Sequence, residues 1–376
     1  MRKVALVILA AVMIMSVFPV AGYAESKYDA KSVILMEAET GTVLYEENSD
    51  LPLPPASVTK VMTMLLVMEA VDSGQIKLTD MVTVSANAAG MGGSQVYLEE
   101  NEQMSVDDML KCVVVSSAND ACVALAEFVA GSEEAFVEKM NKRAAELGMT
   151  HTSFENTNGL DDDTVNHVIS ARDIAIMSAE LITKHPKILE YSSIWMDSVR
   201  NGEFGLTNTN RLIRFYSGAN GLKTGSTSKA GFCISASAKR FGMQLICVVM
   251  GAPSRDSRNE TAKKLLDMGF AGYAYEDFPG GSLDAIRVTG SVRTEIPLSY
   301  GEFDTVVEKQ NAGKIESEII LPESLAAPVE NGQQVGEIIY TLDGSELARI
   351  PICAAENAER ITFGQVFLQL LNSFLY

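Results

Sequence analysis

Three short polar runs in this chain could together carry out acyl transfer: Ser57-Val58-Thr59-Lys60, Ser117-Ala118-Asn119 and Lys223-Thr224-Gly225. They follow in that order, with 60 residues from Ser57 to Ser117 and 106 more to Lys223. A serine hydroxyl is a poor nucleophile unless a base lies within hydrogen-bond reach and donors await the developing oxyanion. Only His151, His167 and His185 are available for a histidine-based triad; none lies in a recognisable nucleophile motif, and no G-x-S-x-G run occurs. Lysine replaces histidine where burial and nearby cations lower its pKa until a neutral amine exists at working pH. Apolar Val61, Met62 and Met64 beside Lys60, with Lys223 as the approaching cation, offer those conditions. The three runs then supply a nucleophile, its base, a proton relay and an anion clamp.

Elements with suitable spacing surround each run. Pro52, Pro54 and Pro55 break the chain before Ser57, and an apolar helical stretch follows through Val71, ending near Gly74. A residue three positions into a helix shares the face of the first, so Ser57 and Lys60 are neighbours. The same pair could be an ordinary N-cap serine with a solvated lysine. Helices are expected over Val106 to Val115 and Asp120 to Val129, with Ser116 to Asn119 on the turn between them, where Ser and Asn also suit a cap. Glu133 to Leu147 and Ala171 to Ile182 read as further helices. Ser32 to Met36 and Gly41 to Tyr45 read as a hairpin, and Gly231 to Lys239 with Met243 to Gly251 as an antiparallel pair turning at Arg240 to Gly242. Lys223 to Gly225 is expected at the exposed end of the strand before that pair, and Arg258 to Met268 as a closing helix.

Beyond Tyr275 the texture changes to short strands: Ile286 to Val292, Val306 to Lys309, Glu318 to Leu321, Gln334 to Leu342 and Leu347 to Ile352. No cluster of nucleophile, base or ligand residues appears there. At the end, Phe363, Val366, Phe367, Leu370, Leu371, Phe374 and Leu375 form one helical stripe, too short to span a bilayer. Two placements fit it, the membrane interface or the protein's own surface, and its polar face lacks lysine and arginine. The expected division is residues 1–24, 25–275, 276–360 and 361–376.

Residues 1–24 have the three parts of a secretory signal: Arg2 and Lys3, an apolar run from Val4 to Val20, and small Ala21, Gly22 and Ala24. Cleavage after Ala24 is favoured over an uncleaved anchor. It would take the formal charge from −19 to −21, leaving an acidic exported protein, secreted or peripheral on the outer face of the cytoplasmic membrane. Nucleic acid is excluded as a partner, since a phosphate-binding surface needs clustered Lys and Arg. The five cysteines, Cys112, Cys122, Cys233, Cys247 and Cys353, form no C-x-x-C or Cys/His cluster and imply no metal. They read as small hydrophobes; Cys233 with Cys247 is the one pair worth testing as a disulfide.

With S-x-x-K and K-T-G in place, the chain resembles the low-molecular-mass penicillin-binding proteins, specifically the serine D-alanyl-D-alanine carboxypeptidases. The resemblance runs from about Lys31 to Tyr275 and is strengthened by Asn158-Gly159-Leu160-Asp161, Ala171-Arg172-Asp173, Asp256-Ser257-Arg258 and Leu265 to Phe270. It implies an α/β (α+β) fold, an antiparallel sheet flanked by helices as in β-lactamases and penicillin-binding proteins, followed by a small all-β domain. It further implies Ser57 as acyl-forming nucleophile, Lys60 as general base, and Ser117 with Lys223 passing the proton to the leaving amine. Asn119 would orient Lys60 and bind the substrate amide, and Thr224 with Arg258 would hold the terminal carboxylate. Gly225 completes the strand motif, and the Ser57 and Ser226 amides would form the oxyanion hole. No cofactor is implied. The substrates would be peptidoglycan stem peptides ending in D-Ala-D-Ala, with β-lactams as covalent inhibitors.

Several other activities remain open on the residues alone. A serine β-lactamase needs a positioned carboxylate for deacylation, and no E-x-x-L-N segment follows the middle motif. DD-endopeptidase and transpeptidase activity share the same core. An inactive wall-binding scaffold would have lost motif residues, whereas all are present here.

Overall fold

The computed structural model describes residues 27–162 and 164–375, so the expected signal segment lies outside the described residues. Five antiparallel strands make the main sheet: β1 (Ser32–Glu37), β2 (Val43–Glu47), β3 (Ala219–Thr227), β4 (Gly231–Arg240) and β5 (Met243–Ala252). Their order is β2-β1-β5-β4-β3, which leaves β3 on one edge. Strands β1 and β5 lie inside the sheet and are buried on both faces, which is why they read as near-continuous apolar runs rather than alternating ones.

One face of the sheet carries a helical layer. Its members are α1 (Lys60–Asp72), α2 (Val106–Lys111), α3 (Asn119–Ala130), α4 (Glu133–Glu146) and α5 (Ala171–Lys184). Helix α1 is apolar almost all round, as suits a helix enclosed by others. Its Met62, Leu65 and Met68 share a core with Ile34, Ile246 and Val248 of the sheet. On the other face lies α6 (Arg255–Gly272), whose Ala262, Leu265 and Leu266 pack against Val33, Leu35, Ile234 and Cys247. Serine side chains cap α2, α4, α5 and α6: Ser105, Ser132, Ser170 and Ser254 each accept an amide hydrogen bond three residues on.

The chain leaves α6 directly into β6 (Tyr273–Phe278), which holds both Tyr275 and Glu276. There follow β7 (Gly281–Thr289), β8 (Glu295–Tyr300), β9 (Phe303–Glu308), β10 (Glu316–Ile320), β11 (Leu325–Ala326), β12 (Gln334–Leu342) and β13 (Ser345–Ala354). β6 pairs with β9, and the rest form a sheet in the order β10-β12-β13-β8-β7-β11 around Ile286, Ile296, Leu298, Ile338 and Ile352. The terminal helix α7 (Phe363–Leu375) leaves Phe363, Phe367, Leu370 and Leu371 exposed. No described helix is long and apolar enough to cross a membrane.

All five cysteines are free thiols; Cys112, Cys122, Cys233 and Cys247 are buried and Cys353 is half-buried. The Cys233–Cys247 pair therefore forms no disulfide. Cys233 pairs across the sheet with Gly225 and Cys247 with Ala236, and the two belong to core clusters on opposite faces. Burial pushes the Cys233 thiol up to about 11 and Cys112 to about 12, which makes them inert packing groups.

Candidate active site

Ser57 sits in a single 3-10 turn, Ala56–Thr59, that runs into α1, and its side chain caps no helix. Its Oγ instead lies 3.0 Å from Lys60 Nζ. Lys60 is fully buried and also donates to Asn119 Oδ1 at 2.6 Å and to the Asn158 carbonyl at 2.7 Å. Burial pulls its pKa from 10.5 down to about 8, against smaller opposite effects of Cys122 and Asp120. A neutral amine keeps two hydrogens and one lone pair. Given to Asn119 and Asn158, those hydrogens leave the lone pair for the Ser57 hydroxyl.

The second run lies where α2 unwinds through a π-turn, Cys112–Ser116. Ser117 follows with φ 64, a left-handed conformation that costs a serine energy and throws the chain out of the helical path. Neither Ser117 nor Ala118 caps α3 by its side chain. Asn119 is the first residue of α3; its Nδ2 donates to the Gly92 carbonyl at 2.7 Å and its amide to Ser94 O at 2.6 Å. Gly93, at φ +75, must lack a side chain, because a Cβ there would stand 2.8 Å from Asn119 Nδ2. Buried Asp120 accepts the Val96 and Leu98 amides and so holds this same loop.

The third run occupies the middle of β3 and is buried, not at an exposed strand end as its sequence suggested. Alternation along the strand splits it. Lys223 pairs with Ser235, whose hydroxyl meets Ser178 of α5, so Lys223 points into the helical layer with Lys60. Thr224 pairs with Ile234, part of the core beneath α6, and so points to the Arg258 side. Lys223 Nζ donates to the Thr224 carbonyl at 2.8 Å and has no hydrogen bond to Ser117. Its pKa is held well below the usual value by burial, then by the Lys60 and Arg258 charges. Gly225 faces the nucleophile turn: a Cβ there would come 2.8 Å from the Ser57 amide nitrogen and 2.9 Å from Pro55 O.

Arg258, in the first turn of α6, is buried with no acidic partner. Its guanidinium donates to Cys233 O at 3.3 Å and to Asn259 Oδ1 at 2.9 and 3.1 Å. Burial, then the charges of Arg255 and Arg211, lower its pKa to about 10. Ser57, Ser117, Thr224, Gly225, Ser226 and Arg258 line one cleft of about 590 Å³, which also contains Ser94, Trp195, Thr209, Arg211 and Arg255. Among the described residues no aspartate or glutamate lines it.

The histidines serve elsewhere. His167 Nδ1 accepts the Glu155 amide at 3.0 Å, which places its proton on Nε2, 2.8 Å from Thr59 Oγ1. Burial lowers its pKa to about 4, so it is neutral at working pH and fastens the nucleophile turn. His185 pairs with Asp72. No histidine lines the cleft.

Two groups at the site escaped residue-type reasoning. The Asn158 carbonyl is a main-chain atom without a side-chain signature, although the neighbouring Gly159 hints at a constrained turn. That glycine sits at φ +83, where a Cβ would overlap Ala56 O and stand 2.8 Å from Thr59 Oγ1. Thr157 O, fixed by Thr63 Oγ1 at 2.6 Å, anchors the same loop to α1. The second group is Thr209, whose hydroxyl meets that of Thr224 at 2.8 Å. Its only trace in the sequence is the alternating Thr207-Asn208-Thr209-Asn210.

Comparison with known proteins agrees with this geometry. Residues 20–254 match the family described as D-alanyl-D-alanine carboxypeptidase, and residues 283–360 match the C-terminal domain of penicillin-binding protein 5. A D-alanyl-D-alanine carboxypeptidase of Bacillus subtilis is 42% identical over 348 residues, covering 90% of this chain and 88% of the relative. Penicillin-binding protein 5 of Haemophilus influenzae superposes with a TM-score of 0.77 at 33% identity, covering 90% of this chain and all (100%) of that one. An ampicillin-bound penicillin-binding protein of Listeria monocytogenes covers 66% of this chain and 100% of its own, with a TM-score of 0.60 and 32% identity. On the length and identity of these matches, the chain belongs to the D-alanyl-D-alanine carboxypeptidase family of serine peptidases, with the penicillin-binding-protein fold.

Proposed function

We propose that this protein is a serine D-Ala-D-Ala carboxypeptidase acting on peptidoglycan stem peptides. The observation that carries this reading is Lys60 Nζ, buried with a lowered pKa and 3.0 Å from Ser57 Oγ. Neutral Lys60 takes the Ser57 proton while Oγ attacks the penultimate D-alanine carbonyl. The Ser57 and Ser226 amides receive the oxyanion. As the tetrahedral adduct collapses, the carbon–nitrogen bond breaks and the proton reaches the departing D-alanine amine through Ser117 and Lys223. Water, activated in its turn by Lys60, then attacks the ester and frees the shortened stem. Thr224 and Arg258 hold the terminal carboxylate, and Asn119 the substrate amide. A stem trimmed in this way no longer donates its terminal D-Ala bond to cross-linking, which makes the role one in wall maturation.

A β-lactam resembles the acyl-D-alanyl-D-alanine group and is expected to acylate Ser57 in the same manner. Among the described residues no carboxylate lines the cleft, which favours a long-lived acyl-enzyme over β-lactamase turnover. The N-terminal segment directs export, so the enzyme works outside the cytoplasm. The exposed apolar side chains of α7 are suited to the membrane interface, where they would hold the enzyme against the outer face of the cytoplasmic membrane. The test is direct. Incubation of the mature protein with diacetyl-Lys-D-Ala-D-Ala should release free D-alanine, and Ser57→Ala should release none. Rapid multiple turnover of penicillin, or unimpaired release by Ser57→Ala, would overturn the reading.

A further inference from the structure

Thr209 stands between two of the three motif runs. It follows the short strand Phe204–Thr207 and precedes β3 on a stretch whose burial alternates: Leu206, Asn208 and Asn210 are buried, Thr207 and Thr209 exposed. Both asparagines are pinned inward. Asn208 Nδ2 donates to Ser192 O and Ile194 O, and Asn210 Nδ2 to Gly221 O of β3. With the asparagines on either side held inward, Thr209 at the bend between them is left on the cleft, which it lines. The Thr209 amide donates to Val115 O at 3.1 Å, in the π-turn two residues before Ser117. Its hydroxyl lies 2.8 Å from Thr224 Oγ1.

A threonine hydroxyl has one proton and two lone pairs. The Thr224 proton is directed at Thr209 Oγ1. A carboxylate accepts only, so Thr224 binds one by turning that proton away from Thr209. We infer that Thr209 is a positioning residue for carboxylate recognition. Its hydroxyl reverses direction and donates to Thr224 Oγ1 as the Thr224 proton swings to the ligand. The reversed pair keeps both oxygens satisfied, and the donor behind Thr224 polarises its O–H toward the anion. Tethering of Thr209 to the π-turn also couples the carboxylate pocket to the wall that carries Ser117. The inference rests on the peptidase reading and adds to it a residue whose effect depends on the ligand's charge.

The experiment compares acylation of Ser57 by benzylpenicillin and by its methyl ester, followed by mass spectrometry of the whole protein. Thr209→Val should lower the second-order acylation constant for the acid roughly fivefold, the effect of one hydrogen bond, and leave that for the ester unchanged. Thr209→Ser should restore the acid to within about twofold, since only the hydroxyl is required. In a Thr224→Val background, Thr209→Val should have no further effect. Equal losses on acid and ester, no loss on the acid, or additive effects of the two valines would overturn the inference and leave the peptidase reading intact. Failure of benzylpenicillin to acylate the unmutated protein would instead defeat the peptidase reading, and the inference with it.

Discussion

Lys60 faces three acceptors, Ser57 Oγ, Asn119 Oδ1 and Asn158 O, but as a neutral amine it has only two hydrogens. Its protonation therefore decides whether it feeds a hydrogen bond to the serine or takes one from it. With its pKa near 8, acylation should rise with pH along a limb with a midpoint near 8, read from the pH dependence of kcat/KM for tripeptide or of penicillin labelling. Lys60→Arg, which stays charged, should lower acylation by roughly three orders of magnitude or more. The same shift affects stability. The folded pKa lies below the unfolded value of 10.5, so the folded state binds fewer protons between about pH 8 and 10.5. The penalty is present in full below about 8, on the order of 3 kcal/mol, and is relieved as pH rises toward 10.5. Lys60→Met should accordingly melt later than the unmutated protein at neutral pH while losing activity. At this scale the residues that meet at the cleft, Ser57, Ser117, Thr224 and Arg258, with Lys60 against Ser57, could be picked out because their side-chain types limit the available chemistry. The Asn158 carbonyl could not, because every residue has one, and the Thr209 hydroxyl could not, because threonine is common on extended surface segments.

Close approach of elements is enforced by glycines. Gly225 lets β3 lie against the Ser57 turn, and Gly159 lets the Asn158 loop lie against Ala56. Gly225→Ala should push the strand from the nucleophile and lower kcat/KM roughly a hundredfold or more, since small misplacements cost that much, with a modest change in melting temperature. Gly159→Ala adds a strained φ to the overlap with Ala56 O and should lower the melting temperature as well as activity. Thermal unfolding beside tripeptide kinetics separates the two cases. Sequence periodicity located α1, α3, α4, α5, β4 and β5 well. It ran α2 through Val115, whereas the last residues unwind into the π-turn that aims Ser117. Strand β8 escaped notice because Pro297 breaks its pattern. That proline is tolerated where the register with β7 shifts between Leu283 and Ile286, at a position needing no ladder donor. The burial of Lys223 was equally hidden: lysine reads as a surface residue until a sheet edge and a helical layer close over it.

The whole molecule is acidic, with a formal charge of −19, yet Lys60, Lys223, Arg211, Arg255 and Arg258 gather at one cleft. Its other distinct surface is α7, apolar and without Lys or Arg. If α7 seats the enzyme on a bilayer, binding to vesicles should be driven by apolar burial, nearly equal on neutral and anionic lipids and insensitive to salt. Removal of residues 361–376 should abolish sedimentation with vesicles and leave hydrolysis of the soluble tripeptide unchanged. Retained sedimentation would assign the helix to the protein's own surface. The two-part organisation could be read in the change of texture after Tyr275, but the junction itself could not, because β6 continues straight from α6 and pairs with β9. One buried group has a wider meaning. Arg258 sits at 3% exposure without a single acid to answer its charge, in company with two other guanidinium groups and Lys223. A ligand carboxylate brought beside Arg258 would supply the missing counter-charge, so occupancy of the cleft and resistance of the fold to melting should rise together.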